Sequence, residues 1–168
     1  MGSSPPYNTR DRGGDSMGKV TGLTDLEALV GMELGPSGWI TVSNQMVTGF
    51  SDVTGDRQWI HLDVERARTE LPGGVPIVPG LLTLSVGFEL GHGLLDLRGA
   101  SRIINYGYDR VRFPESVPVA TRIRATQTLR SVERTRRNTL RLTSTFVVEG
   151  EGLTKPVCVA DAVVLVYE

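Results

Sequence analysis

VPIVPGLLTLSVGFELGHGLLDL, residues 75–97, starts as a run broken by prolines and turns at Gly80 into a segment that is apolar almost throughout. Leu81, Leu82, Leu84, Val86, Phe88, Leu90, Leu94 and Leu95 cover nearly the whole circumference of a helix, so the spacing predicts a helix buried on several sides. After it the period changes. SRIINYGYDRVRF, TRIRATQTLRSVERTR, NTLRLTSTFVVEG and KPVCVADAVVLVY read as strands joined by turns, with Ile123, Ala125, Gln127 and Leu129 on one face and Leu140, Leu142, Ser144, Phe146 and Val148 on another. One apolar helix followed by four long antiparallel strands predicts an α+β fold. A sheet curled around the helix buries both at once.

Upstream of this segment the signals are short. In TDLEALVGM, Thr24 and Glu27 form a capping-box pattern ahead of Leu26, Leu29 and Val30, which predicts a short helix. GWITV, after Gly35-Pro36, reads as a brief strand. Ser43 is placed to cap a second helix, NQMVTGFSDVT, with Met46, Phe50 and Val53 at helical spacing and Gly55 at its end. GDRQWIHLDVERAR then begins as a loop, and Asp63 caps a third helix, VERARTEL, which Pro72-Gly73-Gly74 breaks. The polar, Gly- and Pro-rich start MGSSPPYNTRDRGGDS makes residues 1–20 a flexible tail, leaving 21–168 as a single domain.

Composition narrows the function classes. A formal charge of -1 gives no bulk attraction to nucleic acid or to an anionic membrane, and no apolar run approaches a signal peptide or a membrane span. The lone Cys158 has no disulfide partner within the chain, and with only 2 histidines no metal-ligand cluster forms. A reducing cytoplasm is the expected compartment.

Asp56 and His61 are the candidates for chemistry. On one continuous helix their spacing would point them to different sides, whereas in a turn begun by Gly55 they converge. Taken alone, such a pair more often caps and braces a turn than reacts. The surrounding residues reverse that weighting.

FSDVTGDRQWIHLDVERA, PIVPGLLTLS and INYGYDRVRFPESVPV together resemble the MaoC-like dehydratase and R-specific enoyl-CoA hydratase family, whose motif sets an aspartate, four residues, then histidine and aspartate. Asp56, His61 and Asp63 match it. The resemblance implies a hotdog fold and a cytoplasmic homodimer, with no metal or redox cofactor. The implied reaction is hydration or dehydration of a thioester of coenzyme A or an acyl carrier protein, in fatty acid or polyketide metabolism. It makes Asp56 and His61 the acid–base pair and gives the thioester oxygen to the Gly80 N–H, with Ser85 as a lesser candidate for the substrate channel. Asp63 and Gly55 support the loop. The family usually has histidine-glycine where this chain has Pro79-Gly80.

Other residues draw plainer readings. Trp59 is a packing anchor, His92 a core or helix-end histidine, and Ser85 small core filling; Arg110 and Arg112 are exposed by default, though arginine suits the phosphates of coenzyme A. Two further functions compete. A hotdog thioesterase would place its carboxylate on the central helix, where Glu89 lies, and a non-catalytic binding subunit would need neither group.

Overall fold

A computed structural model describes residues 19–168. The expected flexible tail falls outside the described residues except for its last two positions, which begin strand β1 (Lys19–Gly22). A 3-10 helix (Leu23–Leu29), β2 (Glu33–Leu34), β3 (Ile40–Thr41) and helices α1 (Asn44–Thr54), α2 (Trp59–Leu62), α3 (Val64–Glu70) and α4 (Gly80–His92) follow. The chain closes with β4 (Leu95–Arg98), β5 (Arg102–Arg112), β6 (Arg122–Arg136), β7 (Thr139–Gly150) and β8 (Cys158–Tyr167).

The main sheet has strand order β2-β6-β7-β8-β5, antiparallel throughout, with β3 pairing the start of β6 beside β2. From Leu140 onward β7 alternates: Leu140, Leu142, Ser144, Phe146 and Val148 are buried and the residues between them half-buried, while Thr139 at the strand's start is buried as well. That face receives α4, as the sequence predicts. Contact is closest at Gly87, where a Cβ would stand 2.3 Å from Val148 Cγ2, so no larger residue lets the helix sit this deep. Leu82, Leu84, Ile123, Phe146 and Val148 belong to the core cluster under this helix. A second cluster joins Leu26 and Leu29 to Leu94, Leu95, Leu129 and Val166.

Three local expectations change. The capping box at Thr24 does not form, since the helix there starts at Leu23, is 3-10 in type and carries no side-chain cap. Leu94 and Leu95 lie past the end of α4, and Leu95 starts β4, which pairs in parallel with β1. Gly91 and Gly93 explain the early stop: both lower helix stability at the point where a strand partner is available. Nor is α4 buried all round. Leu81 is 60% exposed, and Ser85 and Glu89 continue the same open stripe at i+4 intervals.

Candidate active site

Ser43 accepts a hydrogen bond from Met46 N–H at 3.3 Å and so starts α1. Gly55 ends it at φ 76°, a left-handed conformation that glycine adopts without strain, and its N–H donates to Ser51 O. The chain therefore reverses direction immediately before Asp56. Asp56 Oδ1 accepts from Gln58 N–H at 3.3 Å, which folds the carboxylate back over the next turn. That turn is helical, where a loop was expected: Trp59–Leu62 forms α2 and carries His61 inward. The Arg66 guanidinium lies 4.0 Å over the half-buried Trp59 ring, so Trp59 serves as a packing anchor. Asp63 then caps α3 by accepting from Arg66 N–H at 2.9 Å, as expected.

His61 is 6% exposed and held from both sides. Its Nδ1 stands 2.7 Å from Ile77 O, and since a carbonyl only accepts, Nδ1 carries the proton in that bond. Nε2 then faces Asp56 Oδ2 at 3.8 Å, beyond direct hydrogen-bond length. In the neutral ring, two acceptors confront each other across a gap suited to a molecule that can donate to both.

The loop that enters α4 is laced to its neighbours by three backbone bonds: Ile77 N–H to Ile60 O, Val78 N–H to Val117 O and Val119 N–H to Pro76 O. Ile77 thus grips α2 twice, once through Ile60 and once through His61. Three residues on, Gly80 is the first residue of α4, where no preceding turn supplies an intrahelical acceptor for its N–H. Pro79, in the position expected of histidine, is buried, and its carbonyl accepts from Thr83 N–H at 3.0 Å. The space beside Gly80 Cα is taken by Phe113: a Cβ there would stand 3.0 Å from the ring. The missing side chain makes room for that aromatic ring.

Asp56, His61 and the loop that enters α4 are brought together through the His61–Ile77 bond. Ser85 is exposed, its hydroxyl donates to Leu81 O at 2.9 Å within α4, and it fills no core. Glu89 is exposed on the same stripe, whereas His92, the last residue of α4, is half-buried against Phe88. Cys158 is fully buried, and burial pushes its thiol up to about 12, so it offers no thiolate nucleophile. Among the described residues no three His, Cys, Asp or Glu side chains stand close enough to hold a metal ion. No helix among them is long and apolar enough to cross a membrane.

Sequence reasoning missed Ile77 O and Phe113, which reach the site only through tertiary contacts. It also missed a small open cleft between the C-terminal half of α4 and the sheet, walled by Phe88, Gly91, His92, Gln127, Ser144 and Phe146 among others. Here a signal existed: Gln127 and Ser144 interrupt otherwise apolar strand faces.

An antiparallel sheet curled on one central helix defines the hotdog class of folds. The comparisons narrow it. The MaoC like domain model matches residues 25–150. 3-Hydroxyacyl-thioester dehydratase Z of Mycobacterium tuberculosis is 43% identical over 142 residues, covering 84% of this chain and 93% of that protein. Nodulation protein N of Rhizobium meliloti is 38% identical over 140 residues, covering 83% and 87%. The (R)-hydratase from A. caviae involved in PHA biosynthesis superposes with a TM-score of 0.64 at 22% identity, covering 80% of this chain and 94% of that one, and shares the fold. The chain belongs to the MaoC-like family and is a carbon–oxygen lyase of the hydratase/dehydratase type.

Proposed function

We propose that the protein interconverts a trans-enoyl thioester and an (R)-3-hydroxyacyl thioester, with Asp56 and His61 as the acid–base pair. The observation that carries this reading is the 3.8 Å gap between Asp56 Oδ2 and His61 Nε2, with Nδ1 engaged by Ile77 O. One water donating a hydrogen to each acceptor sits with its oxygen free to attack C3. As the C3–O bond forms, the pair takes the water's proton and a proton is delivered to C2, so one water is added and the pair is restored. Dehydration is the reverse. The Gly80 N–H, at the positive end of α4, binds the thioester oxygen and stabilises the charge that gathers there during attack.

The acyl group is carried on coenzyme A or an acyl carrier protein, in the cytoplasm. Pairing along the β5 edge makes the enzyme a homodimer: β5 ends the strand order and presents Ile104 and Tyr106 at 42% and 66% exposure. A thioesterase would rely on Glu89, which lies exposed on α4, and release of free thiol would mark it.

The test is turnover of crotonyl-CoA, followed by loss of the conjugated double bond, with free thiol assayed in parallel. Asp56→Asn and His61→Ala each lower hydration by on the order of a hundredfold or more, and their combined effect falls far short of the product. Folded variants with near-native rates, or thiol release in place of hydration, overturn the proposal.

A further inference from the structure

The cleft at the far end of α4 is apolar on most sides, yet three polar side chains converge on it. Gln127 Nε2 donates to Ser144 Oγ at 3.0 Å between the neighbouring strands β6 and β7. That bond uses one of Gln127's two amide hydrogens and leaves Oε1 unused. The Ser144 hydroxyl accepts, and its own hydrogen is free to donate. His92 contributes a ring packed at 5.8 Å on Phe88, with no hydrogen bond to either nitrogen among the described residues. Gln127 Oε1 and the His92 nitrogens are not sealed off, since the buried unpartnered side-chain atoms among the described residues are Ser51 Oγ and Arg141 Nε. Donors and acceptors with spare capacity, set into an apolar wall, are a binding arrangement: an alkyl chain leaves them unpaired, and a ligand oxygen pairs them.

Their place in the fold says which part of a ligand they meet. α4 begins at Gly80, beside the proposed thioester position, and rises about 1.5 Å per residue, so Phe88 and His92 lie roughly 12 and 18 Å along it. The Gly87–Val148 contact closes the space beneath the helix between the two ends. A bound chain therefore runs along the flank of α4 and enters the cleft with its remote portion.

Resting on the reading of the protein as an enoyl-thioester hydratase, we infer that this cleft selects acyl chains bearing a neutral oxygen function, a hydroxyl or a ketone, remote from the thioester. Gln127 and Ser144 are its specificity residues, and His92 flanks them. The substrate class is an oxygenated acyl thioester in preference to a plain fatty acyl one.

The experiment uses the full chain and a series of enoyl-CoA thioesters of increasing length, each with and without a hydroxyl on the penultimate carbon. At the length that reaches the cleft, wild type favours the hydroxylated member by on the order of tenfold in kcat/KM, the value of about one net hydrogen bond. Gln127→Leu and Ser144→Ala abolish that preference by letting the plain long members catch up with the hydroxylated ones, while the short members that do not reach the cleft are hydrated within about twofold of wild type, which also reports that both variants fold. Hydration of the whole series with no preference at any length overturns the inference and leaves the hydratase reading standing. So does a preference that survives in both variants. Failure to hydrate any member overturns the hydratase reading itself.

Discussion

His61 and Ile77 are joined by a 2.7 Å hydrogen bond from Nδ1 to a main-chain carbonyl, and that bond decides which ring nitrogen looks at Asp56. It also ties α2 to the loop that starts α4, so one histidine has both a structural and a chemical end. The two ends can be separated. Asparagine places an amide N–H near the position of Nδ1 and nothing at Nε2. His61→Asn is expected to keep the bond to Ile77 and melt within a few degrees of wild type, while enoyl-thioester hydration falls by about a hundredfold or more. His61→Ala loses the bond as well and costs roughly 1–3 kcal/mol of stability, because Ile77 O is left without its partner. Thermal melts beside turnover check this; equal stability loss in both variants would count against it.

Gly80 and Phe113 form the second testable contact. A methyl at residue 80 meets the Phe113 ring at 3.0 Å, tighter than ordinary packing, so either the ring or the helix entrance must shift. Gly80→Ala is expected to cost about 1–3 kcal/mol and to lower kcat by displacing the N–H. Phe113→Leu, combined with it, relieves the clash and recovers part of both losses. A double-mutant cycle measures the coupling, expected at roughly 0.5–3 kcal/mol; simple additivity would show that the ring and the helix entrance are independent.

Much of this arrangement was legible in the sequence wherever the signal is local. The start of α4 at Gly80, the caps at Ser43 and Asp63, the left-handed stop at Gly55 and the alternating faces of β6 and β7 all follow from spacing and residue chemistry. What escaped depends on partners far along the chain. Leu94 and Leu95 continue a helical pattern, and only the β1 strand makes β4 the better conformation. One turn of helix around His61 gives too few residues for periodicity to register. Leu81 and Ser85 lie on an open stripe where the sequence suggests burial, because apolar content alone does not say which sides of a helix meet protein. Gln127 and Ser144 were placed on the correct faces, but their being brought together depends on the β6–β7 register, in which Gln127 pairs with Phe146 and Leu129 with Ser144.

Two glycines on α4 should respond oppositely to alanine. At Gly91 a Cβ would lie 3.6 Å from Gln127 Oε1 and 3.7 Å from Phe146 Cβ, ordinary contact distances. Gly91→Ala therefore gains about 0.5–1 kcal/mol from helix propensity and fills the space in front of Gln127, lowering kcat/KM for long chains while short ones are unaffected. At Gly87 the same methyl strikes Val148, and the expected loss is about 1–3 kcal/mol, occasionally more. Denaturant unfolding of the two variants, with activity across chain length, checks the contrast.

The last prediction concerns pH. Asp161 is 6% exposed on β8 and accepts from Thr145 Oγ1 at 2.6 Å and from Arg110 Nε at 2.7 Å, where Arg110 sits in a bulge of β5 at φ 53°. Burial is the largest single influence on its carboxyl and pushes it up. The hydrogen bonds from Thr145 and Arg110 and the charges of Arg110 and Arg130 together outweigh that, and hold it below the usual aspartate value. The folded state thus favours the ionised form more than the unfolded chain does. Its contribution is fully present above the unfolded value of about 3.9, and is lost as pH falls through the lower folded value. Asp161→Asn cannot ionise, so at neutral pH it melts below wild type, and the gap narrows as pH drops beneath the ordinary aspartate range. Glu151 and Glu168, also held low by Arg122 and Arg134, titrate alike in both proteins and cancel in the comparison. Melting curves of the two proteins across the acid range decide it: a gap that stays constant down to the acid limit would mean that Asp161 holds β5 and β8 by shape alone, with its charge contributing nothing.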